Sequence, residues 1–281
     1  MQPVAVLISI YKNDDAAIFI DAIQSIKHQK IGLQNIRTYL CIDGELPSSL
    51  SSLIASEADF FYKIIRNQSN AGLAFSLNKL IDNLDDEEFI FRMDADDICL
   101  EDRFSRQINY LKKHPEIMVL GGSIEEFSSE NPETFIRVYP SSFEEIKKFI
   151  PRGCPFAHPT VCFRRGLFDL GYRYSAPLGK EAADNSNSDI QLWYRLVTDN
   201  IPMANIPEVV LKFRKSPKLY TRRSKAKAID EFNIYIHGIR KLYGFHPYMI
   251  YPCLRLLFRL MPQNMIRYTY GSHFRANFLN K

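Results

Sequence analysis

Three carboxylates crowd the end of one apolar run. In "FIFRMDADDICLEDRF", Phe89 to Phe104, a strand-like stretch stops at Asp94, Asp96 and Asp97, and a helix-like segment follows. Like charges this close repel one another and cost stability unless a cation or hydrogen-bond donors compensate. Such a cluster suits a hard divalent ion, Mn2+ or Mg2+, which takes oxygen ligands and commonly bridges to phosphate oxygens. Asp94 and Asp96 share one side of an extended segment, because side-chain direction there has period two. Asp97 joins them only if the chain bends. The sequence holds neither a GxxxxGK[ST] nor a GxGxxG loop, so the ion would have to carry the phosphates.

The elements that must position these residues show in the periodicity. "VAVLISI" (Val4–Ile10) is a continuous apolar run suited to a strand covered on both faces. "AAIFIDAIQSIKHQ" has helical spacing, with Ile18, Ala22, Ile23 and Ile26 near one stripe. "IRTYLCID" and "FYKIIRN" read as strands, and "GLAFSLNKLIDNL" as a helix that Asn70 could cap. "EFIFRMD" is a fourth strand. "LEDRFSRQINYLKKH" is a helix with Glu101 and Asp102 in its first turn, and "IMVLGGSIEEF" is a further strand. Repeated β-α units imply an α/β fold with a mainly parallel sheet flanked by helices. Such sheets bind ligands beyond the carboxyl ends of their strands. Ser9, Tyr11, Asp43 and the Asp94–Asp97 group all fall there. Taken singly, Asp43-Gly44 is a turn signal and Tyr11 a packing residue; three clustered carboxylates have no such everyday reading.

The net charge of +4 conceals a division. Residues 212–281 hold 15 Lys and Arg against 2 Asp and Glu, whereas the preceding residues hold 21 against 30. A tail this basic implies an anionic partner or a solvated helical surface. "YMIYPCLRLLFRLMPQNMIRYTYGSHFRANF" interleaves Arg255, Arg259, Arg267 and Arg275 with bulky apolar residues. It lacks the ~20 uninterrupted apolar residues of a membrane-spanning helix and suits one lying in a membrane interface. No nucleic-acid motif accompanies it. The five cysteines show no metal spacing and read as reduced thiols in a cytosolic protein. The N-terminus reads as a core strand, not a signal peptide.

Taken in order, "VLISIYKND", "CIDG", "RNQSNAGLAFSLNKLI", "FIFRMDADDICLEDRFSRQINYL", "HPTVCFRR", "SDIQLWYRL" and "IPEVVLKFRKS" resemble the family 2 nucleotide-sugar glycosyltransferases of GT-A fold. The likeness is nearest to bacterial enzymes of O-antigen, capsule and exopolysaccharide assembly. It implies a catalytic domain over residues 1–217 and a basic helical extension over 218–281. It also implies residue roles. Ser9 and Tyr11 would contact base and ribose, and Asp43 the uracil N–H. Asn70 and Gly72 would lie along the nucleotide. Asp94 would bind the ribose, and Asp96 with Asp97 would hold the metal. Asp189 sits where the family keeps its general base, although Ser188 replaces the Glu of the usual Glu-Asp pair. Without the family, Asp189 is a helix N-cap. His158 and Trp193 are acceptor-side by family position; a structural histidine and a core aromatic are the alternatives. Some GT-A enzymes also use a late histidine as metal ligand; "KFRKSPKLYTRRS" holds none, so no such ligand is assigned.

The resemblance implies inverting transfer of Gal or Glc from a UDP-sugar to a saccharide carried on polyprenyl diphosphate, such as GlcNAc-diphosphate-undecaprenol. The site would lie on the cytoplasmic face of a bacterial plasma membrane. A nucleotidyltransferase, or a non-catalytic nucleotide-sugar-binding protein, is the alternative.

Overall fold

The computed structural model describes residues 2–128, 133–176, 187–215 and 225–260. The chain forms two compact units, Met1–Ser216 and Pro217–Lys281. The first opens with β1 (Val4–Ile10), α1 (Ala16–Lys27), β2 (Ile36–Asp43), α2 (Ser48–Ser56), β3 (Phe61–Asn67), α3 (Leu73–Ile81) and β4 (Phe89–Arg92). It continues through β5 (Ile98–Cys99), α4 (Arg103–Lys113), β6 (Val119–Phe127), β7 (Phe135–Arg137) and α5 (Phe143–Phe149). It closes with β8 (Cys162–Arg164), α6 (Gly166–Asp169), α7 (Ser188–Thr198) and β9 (Met203–Arg214).

One sheet runs β3-β2-β1-β4-β8-β6-β9-β5, with β7 beside β6. β1 pairs in parallel with β2 and β4, and β2 with β3. The carboxyl ends of four strands therefore share one edge. β8 then runs antiparallel to both β4 and β6. The continuous apolar run of β1 follows from its place: between two strands and covered on both faces, it needs no polar side. Val4, Val6, Ile8 and Ile10 enter the core with Phe19, Ala22, Ile23 and Ile26 of α1. Phe19, not Ile18, completes that stripe; Ile18 is half-buried. Asp15 caps α1 by accepting from the Ala17 N–H at 2.8 Å.

Two expectations at helix starts are corrected. Asn70 does not cap α3, whose N-cap is Gly72 at φ 87° with no side-chain cap bond. Glu101 precedes α4, and Asp102 is its N-cap residue, paired with Arg106 at 2.6 Å.

The second unit holds α8 (Lys225–Tyr243) and α9 (Ile250–Leu260). Ala228, Tyr235 and Ile239 of α8 are buried, and Phe232 is half-buried. Arg255 and Arg259 of α9 do not point to solvent as free charges. Both pair with Glu231 of α8, Arg255 at 3.2 Å, and the Arg255 guanidinium lies 4.5 Å from the Tyr235 ring centroid. Arg267 and Arg275 lie outside the described residues. No helix among the described residues is long and apolar enough to cross a membrane.

Candidate active site

The strand register sets the site. Leu7 of β1 pairs with Arg92 of β4, Ser9 with Cys41 of β2, and Asp43 of β2 with Asn67 of β3. Ser9 is half-buried on this edge. Tyr11 follows in a turn in which its N–H donates to Asp14 Oδ2 at 2.8 Å.

Asp43 is buried and does structural work on the edge. Its Oδ1 accepts from Asn67 Nδ2 at 2.8 Å and from the Ala71 N–H at 2.8 Å. Its Oδ2 accepts from the Gly72 N–H at 2.9 Å. A carboxylate offers about four acceptor sites, so one remains for a ligand N–H. The loop it holds also leans on Gly44, at φ 88°, where a Cβ would meet the Asn70 nitrogen at 2.8 Å. Asn70 itself is exposed. A side chain at residue 44 would push the loop off Asp43.

Asp94, Asp96 and Asp97 converge, with one ligand oxygen from each lying within 4.8 Å of the others. The chain turns at Ala95 and Asp96, so Asp97 swings inward instead of following the extended alternation. Asp97 is fully buried. Its Oδ1 accepts from the Arg214 N–H at 2.9 Å, and its Oδ2 has no hydrogen-bond partner among the described residues. Arg214 ends β9, which pairs with β5 just past the carboxylates. Its Nε also donates to the Asp96 carbonyl at 2.9 Å, and its Nη2 to Asp21 at 3.0 Å. The end of β9 thus clamps the turn.

Desolvation, and then the charge of Asp94, push the Asp96 carboxyl up to about 6, although part of the side chain reaches the surface. Burial, with Asp94 and Asp96 beside it, pushes Asp97 well above the usual carboxylate range. The cluster is short of positive charge. An all-oxygen donor set with one orphaned buried oxygen fits a hard divalent cation.

Arg92 lies beneath the cluster. Its side chain is 3% exposed and pairs with Asp94, while its Nε and Nη1 have no hydrogen-bond partner among the described residues. Its charge is felt by Asp94, Asp97 and Tyr174, and by His158 and Asp189. One buried guanidinium therefore links the carboxylate turn to the start of α7. Removing it leaves the Asp94 carboxylate without its buried partner. Arg92→Met is expected to cost about 1.5–3 kcal/mol of folding free energy, below the scale of a fully buried ion pair because the Asp94 side chain is 32% exposed. Chemical denaturation without metal measures this.

Asp189 lies in the first turn of α7, but the N-cap is Asn187. The capping role expected of Asp189 without the family is thus corrected. Burial raises its carboxyl. The Cys154 thiol lies 3.8 Å from its Oδ2, and Ser188 beside it is buried. His158 Nε2 lies 2.8 Å from the Tyr174 hydroxyl. Burial, then Arg92, holds this imidazole well below its ordinary value, hence neutral at pH 7. Asn78 fixes Tyr174 through two bonds of 2.9 Å to its backbone. Trp193 is fully buried against Phe156, at 4.9 Å between ring centroids, and Phe163, at 6.1 Å. Of its two readings from the sequence, the burial supports packing.

The family model described as "Glycosyl transferase family 2" matches residues 5–170. The chain belongs to glycosyl transferase family 2. Among curated members it is 29% identical over 269 residues to the amylovoran biosynthesis glycosyltransferase AmsE of Erwinia amylovora, covering 95% of this chain and 97% of that one. It is 26% identical to the Escherichia coli UDP-Gal:alpha-D-GlcNAc-diphosphoundecaprenol beta-1,3-galactosyltransferase, covering 95% and 94%. The fold matches that of the mannosyltransferase PcManGT from Pyrobaculum calidifontis, solved with GDP-Man and Mn2+, at TM-score 0.61 and 14% identity, over all of this chain and 84% of that one. The α/β unit is a GT-A fold.

Within this family 2 chain, sequence reasoning missed Arg92, Tyr174 and Arg214. Arg92 left a signal, a lone charge inside the apolar "FIFRMD". Tyr174 and Arg214 left none, because each reaches the site through the fold and from far along the chain.

Proposed function

We propose that this glycosyltransferase moves a hexose, galactose or glucose, from a UDP-sugar to a saccharide on polyprenyl diphosphate, with inversion, in bacterial surface polysaccharide synthesis. The acceptor class is GlcNAc-diphosphate-undecaprenol or a close analogue, and the enzyme works at the inner face of the plasma membrane. The observation that carries the reading is the juxtaposition, through Arg92, of a cation-deficient carboxylate turn with a desolvated Asp189. The near-full-length likeness to the E. coli galactosyltransferase supports the donor and acceptor classes.

Ser9, Tyr11, Asn70 and Gly72 line the strand-end edge on which the nucleotide would lie, and Asp43 keeps one acceptor for its ring N–H. Asp94 would reach the ribose. Asp96 and Asp97 would hold Mn2+ or Mg2+, which when bound offsets the charge on the departing nucleoside diphosphate. Asp189 takes the proton of the acceptor hydroxyl as that oxygen attacks the anomeric carbon from the face opposite the leaving group. Its raised carboxyl brings its proton affinity nearer the operating pH. His158, neutral and held by Tyr174, lines the acceptor side.

A panel of UDP-sugars and GDP-mannose, tested against synthetic lipid-diphosphate GlcNAc with product linkage read by NMR, tests this. Transfer from UDP-Gal or UDP-Glc in an inverted linkage is the expected result. Transfer only from GDP-mannose, or only to acceptors lacking a lipid diphosphate, rejects the donor or the acceptor class respectively.

A further inference from the structure

α9 is packed inside out. At 100° per residue, Arg255, Arg259 and Pro252 fall on one side, and Ile250, Leu254, Leu257, Cys253 and Leu260 on the other. The structure turns the arginine side to α8, where both guanidiniums meet Glu231, and Pro252 is buried. The leucine side faces outward: Ile250 is 57% exposed, Leu254 55%, Leu257 59% and Leu260 44%. A helix covering a core does the reverse.

The turn before α9 exposes a further apolar side chain. Phe245 is 87% exposed, with the exposed Arg240 guanidinium 5.0 Å from its ring centroid. Half-buried Tyr243, Tyr248 and Tyr251 cluster around the turn, with ring centroids 5.2 Å apart for Tyr243–Tyr248 and 6.1 Å for Tyr248–Tyr251. Lys241 is exposed nearby in the chain. An apolar stripe, a tyrosine cluster with polar tips and basic residues beside them match the layers of a lipid interface: acyl boundary, headgroup level and anionic surface.

We propose that this face, Phe245 with the outer side of α9, inserts into the headgroup–acyl boundary of an anionic bilayer. The occupant is argued from charge: residues 212–281 carry 15 basic residues against 2 acidic ones, which opposes an anionic surface. The inference rests on the membrane-surface reading above and changes its physics. Arg255 and Arg259, expected from the sequence to supply the electrostatic attraction, are already committed to Glu231, so apolar insertion dominates at α9.

The test uses the full chain and phosphatidylglycerol–phosphatidylethanolamine vesicles in flotation assays. Leu254→Asp and Leu257→Asp, both at exposed positions, are each expected to lower vesicle affinity by roughly tenfold or more, the scale of one leucine's transfer. Raising NaCl to about 0.5 M should cost less than either substitution, because salt screens charge and not apolar burial. A second readout needs no loss of function. The indole introduced by Leu257→Trp should be quenched by brominated lipid, whereas the chain's one native tryptophan, buried Trp193, should not. Aspartate variants that float like wild type, with no quenching in the Leu257→Trp protein, overturn the assignment of this face and leave membrane binding to other residues. Wild-type protein that floats with no vesicle overturns both the face and the membrane reading. A dimer in light scattering that Leu257→Asp makes monomeric assigns the face to a second copy of the chain and overturns the proposal.

Discussion

Asp96→Ala is expected to abolish sugar transfer, by at least about 10³-fold, while leaving the fold intact. Holding charge on the departing diphosphate is worth several kcal/mol of barrier, and each 1.4 kcal/mol is about tenfold in rate. Asp96 is the member of the cluster that can be removed cleanly: it reaches the surface, and its structural bond, from Arg214, goes to the backbone carbonyl. Asp97 is the contrast. Its substitution also removes the acceptor for the Arg214 N–H inside the protein, so loss of activity there would be confounded with loss of structure. EDTA should reproduce the Asp96→Ala phenotype on wild type and be reversed by excess Mn2+. Full activity in EDTA would remove the metal from the mechanism.

The same residue sets a pH dependence. With the Asp96 carboxyl raised to about 6 in the folded protein, the folded state holds its proton more tightly than the unfolded chain does. Its contribution to metal-free stability is therefore fully present below the unfolded value of ~4 and is lost as pH rises through about 6. Metal needs the ionised form, so it competes with that proton. Mn2+ affinity by titration calorimetry should fall as pH drops below about 6, with proton uptake by buffer on binding near that pH. Affinity flat from pH ~5 to ~7.5 would show that Asp96 does not couple to the ion.

The α/β layering was legible because buried parallel strands write themselves as unbroken apolar runs. "VAVLISI" and "IRTYLCID" became β1 and β2 with their bounds intact. The carboxylate cluster was legible because crowded like charges have few structural uses. Other features depend on what the fold brings together. Phe19 displaced Ile18 because the helix rotates to seat its largest apolar side chain, a matter of packing that periodicity leaves open. The inward swing of Asp97 needs Arg214, more than a hundred residues away, to receive it. Asp43-Gly44 is a turn signal and also a loop staple, and only the donors at Asn67, Ala71 and Gly72 distinguish the two. The arginines of α9 read as surface charges because composition carries no direction; Glu231 on α8 supplied it.

Asp189→Asn is expected to lower kcat by about 10²-fold or more, the usual scale for a general base, with donor affinity nearly unchanged. The substitution keeps the size of the side chain and removes its capacity to take a proton. The local structure should tolerate it. Asn187, not Asp189, occupies the N-cap of α7. Among the described residues, the polar side chain hydrogen-bonded to the Asp189 carboxylate is the Cys154 thiol at 3.8 Å, a weak contact. Burial that raises the carboxyl is a standing cost that the neutral amide avoids, so the variant's melting temperature should equal or exceed that of wild type. This separates the two roles. A structural cap would lose stability and keep its rate in the surviving folded fraction, whereas a base keeps stability and loses kcat. The kcat profile should confirm it: the acidic limb of wild type, set by a carboxyl titrating above its ordinary range, should disappear in the variant's residual activity. Loss of donor binding, or unfolding, would show that Asp189 is structural, and the base would have to be sought elsewhere around Arg92.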